Sequence, residues 1–190
     1  MFYSGYDGRE GKNNEWFQLF QIGFGGIPGR TAGDGPDGHS LWPGFTNVPN
    51  EFIESYFPLR IERYETIPDS GGAGLHRGGN GLSVAYRFLA DGEIAIHDDR
   101  WLIHPWGVLG GQVGMRSTKK LVRTDGSEEC LPSKCDGIKV SVGDLLYFNT
   151  WGGGGWGDPL ERDPALVLAD VNRVLATVEG AKDYGVVIKD

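Results

Sequence analysis

The run Trp151-Gly152-Gly153-Gly154-Gly155-Trp156-Gly157-Asp158-Pro159 restricts this chain more than any other stretch of it. Four successive glycines suit neither a helix nor a strand interior, because glycine loses more backbone freedom on ordering than any other residue. A chain keeps such a run where φ must be positive or where another backbone must come close. The run therefore predicts positive φ for at least one of Gly152 to Gly155, and a loop lying against another part of the molecule. A phosphate-cradling loop requires Lys-Ser/Thr after its last glycine, and here Trp156 and Gly157 follow. The expectation is a tight turn held between Trp151 and Trp156.

Glycine also sets the fold class. It occurs 32 times in 190 residues, more than twice the usual ~7% share, with no triplet repeat. Such density means many turns and few long helices. Hydrophobic residues make up 39% of the chain and charged residues 23%, enough for a sizeable core. Strand patterns appear at Glu15–Gly23 and at Pro58–Ile67, where Leu59, Ile61 and Arg63 share one face and Arg60, Glu62 and Tyr64 the other. Leu82, Val84, Tyr86 and Phe88 alternate with Ser83, Ala85 and Arg87. Asp91-Gly92 predicts a hairpin to a return strand at Glu93–His97, and Asp125-Gly126 a second hairpin joining Lys120–Thr124 to Ser127–Leu131. Gly137–Val142 and Asp144–Thr150 bracket a further turn at Gly143. Residues 30–50 lack periodicity, and irregular loops of that length are generally functional or interfacial.

The end of the chain changes character. Asp163 is an N-cap, Pro164 sits at N1, and Val167, Val171, Val174 and Val178 recur at helical spacing. Thr177 caps a second short helix that stops at Gly185. The chain is thus expected to be mainly β, a sandwich or barrel with glycine-rich loops, and to end in a short α-helical tail, α+β overall. The β-rich body spans 1–160, with an irregular start at 1–14, and the tail spans 161–190.

Charge excludes some functions. The net charge is -8, and no Lys/Arg run exceeds Lys119-Lys120, so nucleic acid is not an expected partner. No apolar run approaches the ~18 residues of a spanning helix, and Met1–Glu10 lacks a secretion signal's basic-then-apolar order. A cytoplasmic protein is expected. Cys130 and Cys135 are spaced C-x4-C, which leaves reduced thiols, a disulfide and a metal site open, the last needing two more ligands.

Candidate site residues fall in three places. The segment Asp69–Gly81 (DSGGAGLHRGGNG) can form an anion-binding concavity with Arg77 and His76, or Arg77 can pair with a carboxylate such as Asp69. Gly153 and Gly154, between Trp151 and Trp156, are candidates for contact with substrate or a neighbouring domain. For a metal, His97 and Asp99 share a strand face but lack an obvious third ligand nearby, and His39, which follows Asp34 and Asp37 in the irregular loop, is a comparable constellation. His104 beside Pro105 reads as packing. No serine-nucleophile elbow is present.

Taken in order, several motifs resemble one family. They are Gly25–Arg30 with Asp34–Gly38 (GGIPGR and DGPDG), Glu51–Pro58 (EFIESYFP), Asp69–Gly81, Gly107–Gly114 (GVLGGQVG), Trp151–Asp163 (WGGGGWGDPLERD) and the ending from Ala181. This pattern resembles hydantoinase B, the subunit class of N-methylhydantoinases, oxoprolinases, caprolactamases, and acetone and acetophenone carboxylases. The resemblance covers nearly the whole chain from about Glu15 and implies one domain of a larger B-type subunit, of which this is the carboxy-terminal part. It implies an ATP-dependent hetero-oligomer. A hydantoinase A-like partner phosphorylates a substrate carbonyl or amide oxygen, and the B-type subunit helps to hydrolyse the activated cyclic amide or to carboxylate the activated ketone. ATP with Mg and a divalent metal are then expected in the partner or in the amino-terminal part of the B-type subunit, with no cofactor in this chain. No catalytic residue carries over. Trp151 and Trp156 stand where many hydantoinase-like members have other residues, which leans toward the ketone carboxylases. The alternative is a non-catalytic module that completes the B-type subunit and holds the complex together.

Overall fold

In the computed structural model, which describes residues 1–39, 44–45 and 48–188, two antiparallel β-sheets enclose a single core. Strands β1 (Phe2–Asp7), β2 (Glu15–Phe20), β5 (Gly92–His97) and β8 (Lys134–Val140) form a four-stranded sheet in the order β2-β1-β5-β8. Strands β3 (Leu59–Thr66), β4 (Leu82–Phe88), β6 (Thr118–Val122), β7 (Glu128–Cys130) and β9 (Leu145–Asn149) form the other, in the order β3-β4-β9-β6-β7. The alternation of each strand sends one face inward: Tyr3, Leu19, Ile94 and Ile96 from the first sheet meet Val84, Phe88, Leu121 and Leu146 from the second. Tyr3 bridges the sheets, its ring edge-on to Phe88 at 4.9 Å and its hydroxyl donating to the Ala90 carbonyl at 2.8 Å.

Several sequence expectations change here. The start is not irregular, because Phe2–Asp7 is a strand paired with both β2 and β5. The Asp91-Gly92 turn joins no hairpin: β4 and β5 lie in different sheets, and Leu89–Gly92 is the corner between them. Gly92 is required there, since a Cβ would strike the Ser4 carbonyl and the Tyr3 ring of β1. The β6–β7 hairpin forms as expected, with Gly126 at φ 86. On β3, a bulge between Ile61 and Arg63 shifts the phase, so Tyr64 turns toward the core and Arg63 outward. The Glu54 carboxylate accepts the Ile61 amide at 2.8 Å. Glu54 lies on α1 (Asn50–Tyr56), which buries Ile53 and which the sequence pattern did not indicate.

Asp158 caps a 3-10 turn at Pro159–Glu161, and Asp163 caps α2 (Pro164–Asn172), its carboxylate accepting the Ala165 amide at 2.8 Å. The valine spacing does not carry one face onward. Val174 takes φ 60 after the helix ends, and only Val167 of the four valines is buried. A second turn, 3-10 and not α, spans Gly180–Tyr184 and stops at Gly185, φ 69, with the Thr177 hydroxyl accepting from Gly180.

Candidate functional site

At one end of the sandwich the chain abandons side-chain packing. Segments 24–29, 34–38, 70–81 and 105–115 surround Trp151–Gly157 and join through backbone hydrogen bonds outside the two sheets. Gly152 donates to Met115 O and Gly153 to Gly79 O, while Gly153, Gly154 and Gly155 carbonyls accept from Gly72, Gly29 and Val108. All four glycines are buried, and none has positive φ. The expectation of a left-handed residue is therefore wrong, and the expectation of close approach is right. A Cβ on Gly152 would overlap the Ser70 carbonyl, on Gly153 that of Ile27, on Gly154 that of Trp106, and on Gly155 that of Ala73. The steric rule is that of collagen, where only glycine fits at a crowded axis. Thr150 anchors the bundle to β9: its hydroxyl accepts the Leu82 amide at 2.7 Å and donates to Phe24 O at 2.8 Å.

Two buried arginines then tie the bundle to the tail. Arg77 donates to both oxygens of Asp37, at 2.7 and 3.1 Å. Arg162 donates to both oxygens of Asp34, each at 2.7 Å, and to Asp170 of α2 at 2.8 Å. Burial works to raise the Asp34 carboxyl, but the Arg162 hydrogen bonds and charge outweigh it and hold the group below the ordinary carboxylate range. Arg77 is thus neutralised by a carboxylate, though by Asp37 and not by Asp69, which instead accepts from the Thr177 amide and hydroxyl. His76 stacks on Trp156 at 5.6 Å, with Nδ1 3.8 Å from Asp34. The arginine fork of the DSGGAGLHRGGNG segment is spent inside the fold. Sequence reading missed Arg162 and Asp170, whose only signal was a charged pair placed after a glycine run.

Of the metal candidates, His97 and Asp99 do not converge. His97 Nε2 lies 3.0 Å from exposed Asp136, and between them Asp98 turns inward to pair with Lys119 and Ser117. Among the described residues no group of three His, Cys, Asp or Glu side chains can hold a metal ion. His104 Nδ1 is 2.9 Å from Gly114 O, with its ring exposed and not packed. Cys130 and Cys135 are free thiols.

His39 and Asp99 do meet elsewhere. A cavity of about 440 Å³ lies between the bundle and the segment after β5, walled by Ile22, Phe24, Ile27, Pro105, Trp151 and the Gly153 backbone. Three polar residues line it: His39, Asp99 and Arg100. Arg100 holds a left-handed φ of 58, with its guanidinium 4.9 Å from the Trp106 ring centre and its carbonyl accepting from Ser117. The structure so brings together His39, Asp99, Trp151 and Gly153 and leaves Arg77, His76, Gly154, Trp156 and His97 outside the cavity lining.

The family model for hydantoinase B/oxoprolinase matches residues 1–159. The chain belongs to the hydantoinase B/oxoprolinase family. It is 36% identical over 184 residues to the B-type subunit of a putative D-/L-hydantoinase from Pseudomonas sp. strain NS671, covering 95% of this chain and 31% of that protein. It is 28% identical over 209 residues to the acetophenone carboxylase delta subunit of Aromatoleum aromaticum, covering 90% and 31%. The crystal structure of the ATP-dependent caprolactamase from Pseudomonas jessenii superposes with a TM-score of 0.80 at 28% identity, over 99% of this chain and 34% of that one. This hydantoinase B-family chain therefore spans about a third of each relative. Among its described residues no helix is long and apolar enough to cross a membrane.

Proposed function

We propose that this chain is the glycine-bundle module of a B-type subunit in an ATP-dependent complex. That complex acts on a substrate carbonyl activated by phosphorylation, by hydrolysis of a cyclic amide or carboxylation of a ketone. The observation that carries this reading is uncovered apolar surface on two sides of a family fold. On the outer face of β1 and β2, Phe2 stacks on Phe20 at 4.5 Å beside exposed Tyr6 and Trp16, and beyond β5 Leu102, Ile103, Trp106 and Leu109 stand exposed along one loop. Contiguous apolar patches of this kind mark protein interfaces. Trp16 and Phe20 point outward as an interface needs, whereas Phe17 is buried against Tyr3 in the core. The occupants are the rest of a B-type subunit and a hydantoinase A-like ATP-binding partner.

The nucleotide and the divalent metal belong to those partners under this reading. The Gly152, Gly153 and Gly155 amides are spent on internal carbonyls, which speaks against a phosphate cradle in this run, and no three-ligand set fits a metal among the described residues. The purely structural alternative is supported by the Arg77 and Arg162 pairs, which serve packing alone. It leaves the polar residues of the cavity without a role.

Co-purification tests the reading. The chain is expected to recover an ATP-binding hydantoinase A-like polypeptide and ATP-dependent lactam or ketone turnover, and to be poorly soluble alone. Calorimetry of the isolated chain should show no ATP binding. A monodisperse monomer with no partner, or stoichiometric ATP binding by the chain alone, rejects it.

A further inference from the structure

The edge of a β-sheet is a row of unpaired amides and carbonyls, and folds protect it with bulges, charges, shortness or a cover. The two sheets of this molecule end in β2, β8, β3 and β7, and three of these edges are protected. β3 carries the bulge between Ile61 and Arg63, the charges of Arg60, Glu62, Arg63 and Glu65, and the Glu54 carboxylate of α1 on its Ile61 amide. β7 is three residues long, two of them glutamates. β8 has a register shift opposite Ile94–Ile96, Gly137 at φ 70, and the charges of Lys134, Asp136 and Lys139. β2 has none of these devices. It pairs with β1 in unbroken register, contains no Pro, Lys or Arg, and has its one charge, Glu15, at its first position.

The groups that β2 leaves open follow from its ladder. Met1 and Gln21 exchange both backbone hydrogen bonds, each amide donating to the other's carbonyl. Such pairs alternate along an antiparallel ladder. With Tyr3 opposite Leu19 and Gly5 opposite Phe17, the bonds to β1 fall on Leu19 and Phe17, and the amides and carbonyls of Trp16, Gln18 and Phe20 face away from β1. Among the described residues these outward groups have no hydrogen-bond partner. The side chains of the same three residues are exposed on the outer face of the sheet, Trp16 and Phe20 by more than half.

This edge has the same order from either end: aromatic, Gln18, aromatic. A second β2, laid antiparallel about a two-fold axis at Gln18, brings the second copy's Phe20 opposite Trp16, its Trp16 opposite Phe20, and its Gln18 opposite Gln18. All three open residues then fall in hydrogen-bonded pairs, and aromatic meets aromatic on the outer face. Glu15 meets the second copy's Gln21, so no like charges oppose each other. Every other two-fold register puts Trp16 or Phe20 opposite a residue beyond the strand. We infer that two copies of this chain pair through β2, joining their four-stranded sheets into one. A two-fold contact requires a self-complementary surface, which this edge supplies and which a strand from a different protein would not require. The pairing goes beyond the proposed function and uses the edge alone. The outer aromatic face, with Phe2 and Tyr6, is doubled and stays open to the partners named above.

Sedimentation equilibrium of the full chain, or of its co-purified complex where the chain alone precipitates, counts the copies. Two are expected at about 10 µM chain. Trp16→Lys alone and Phe20→Glu alone should each weaken pairing about tenfold or more, because each sets a charge opposite an aromatic ring twice in the dimer. Combined in one chain, the two changes set opposite charges face to face and should recover most of the loss, a result specific to this register. Both positions are exposed, so melting temperatures near wild type should show that the variants are folded. One copy per particle, pairing indifferent to both single changes, or no recovery in the combined variant overturns the inference. A complex that holds one copy and still turns over a lactam or ketone with ATP keeps the proposed function while the pairing falls.

Discussion

The sandwich and the glycine bundle are two solutions to filling space within one chain. In the sandwich, side chains such as Tyr3, Phe88 and Leu146 interdigitate, and any well-shaped hydrophobic group can take part. In the bundle the backbone fills the interior, its polar groups satisfied by neighbouring segments and its side chains reduced to hydrogen. The first surface is adjustable because rotamers can move. The second is not, because the atom that would collide is a neighbouring carbonyl. Tolerance to substitution should therefore differ sharply between two regions that are equally buried.

The largest expected effect breaks the bundle. Gly153→Val places its Cβ onto the Ile27 carbonyl, and the expected result is loss of the cooperative melt and of any activity of the assembled enzyme. Leu146→Ala removes a fully buried side chain from the sandwich and should cost about 3 kcal/mol, lowering Tm by roughly 6–12 °C with a cooperative transition kept. Calorimetric melting of both variants checks the contrast; similar losses would erase the distinction between the regions.

Between these lies the joint with the tail. Arg162→Met leaves buried Asp170 and half-exposed Asp34 without their shared cation, a change expected to cost about 3 kcal/mol, the low end for a buried pair, because Asp34 reaches solvent and Arg77 stays 3.5 Å from Asp170. Denaturant unfolding measures it, and Arg162→Met combined with Asp34→Asn should recover part of the loss if the stranded charge is the cause. A loss below 1 kcal/mol would show that the ion pairs are replaceable by solvent.

The smallest effect is on acid stability. Asp34 is held below its ordinary value, so its contribution is present above about pH 4, the unfolded-state pKa, and is lost as pH falls through the folded-state value. Tm measured from pH 6 to pH 2 should decline, and Asp34→Asn should flatten that decline while lowering Tm at pH 6. An unchanged slope would place the acid sensitivity elsewhere.

Local pattern made much of this legible. Period-two alternation located β4, Asp125-Gly126 located the β6–β7 hairpin, and Asp163-Pro164 located the start of α2. What alternation does not encode is which sheet a strand joins. Asp91-Gly92 has the local chemistry of a hairpin turn, and only the pairing of Gly92 with Gly5 of β1 makes it a corner. The β1 strand was missed because Ser4, Gly5 and Tyr6 leave too little alternation, and α1 because it has no side-chain cap. The glycine run announced close approach but misled about φ, since extended backbone packed on backbone needs a missing Cβ and not a left-handed turn. At the cavity, His39 and Asp99 were identified for metal chemistry the fold does not assemble, and Arg100 was passed over.

The Arg162–Asp34 bonds span 128 residues and the Thr150–Phe24 bond 126. Contacts of such separation slow folding, because a long loop must close before any of them forms. Segments 24–38 and 70–81 leave the ribosome well before residues 150–162 exist, so the groups that pair with that run, such as the Phe24 and Gly79 carbonyls and the Gly29 and Gly72 amides, emerge unmatched. The bundle is therefore a late structure, closed only when the last quarter of the chain arrives, and the arginine that seals it is among the last residues the closure needs.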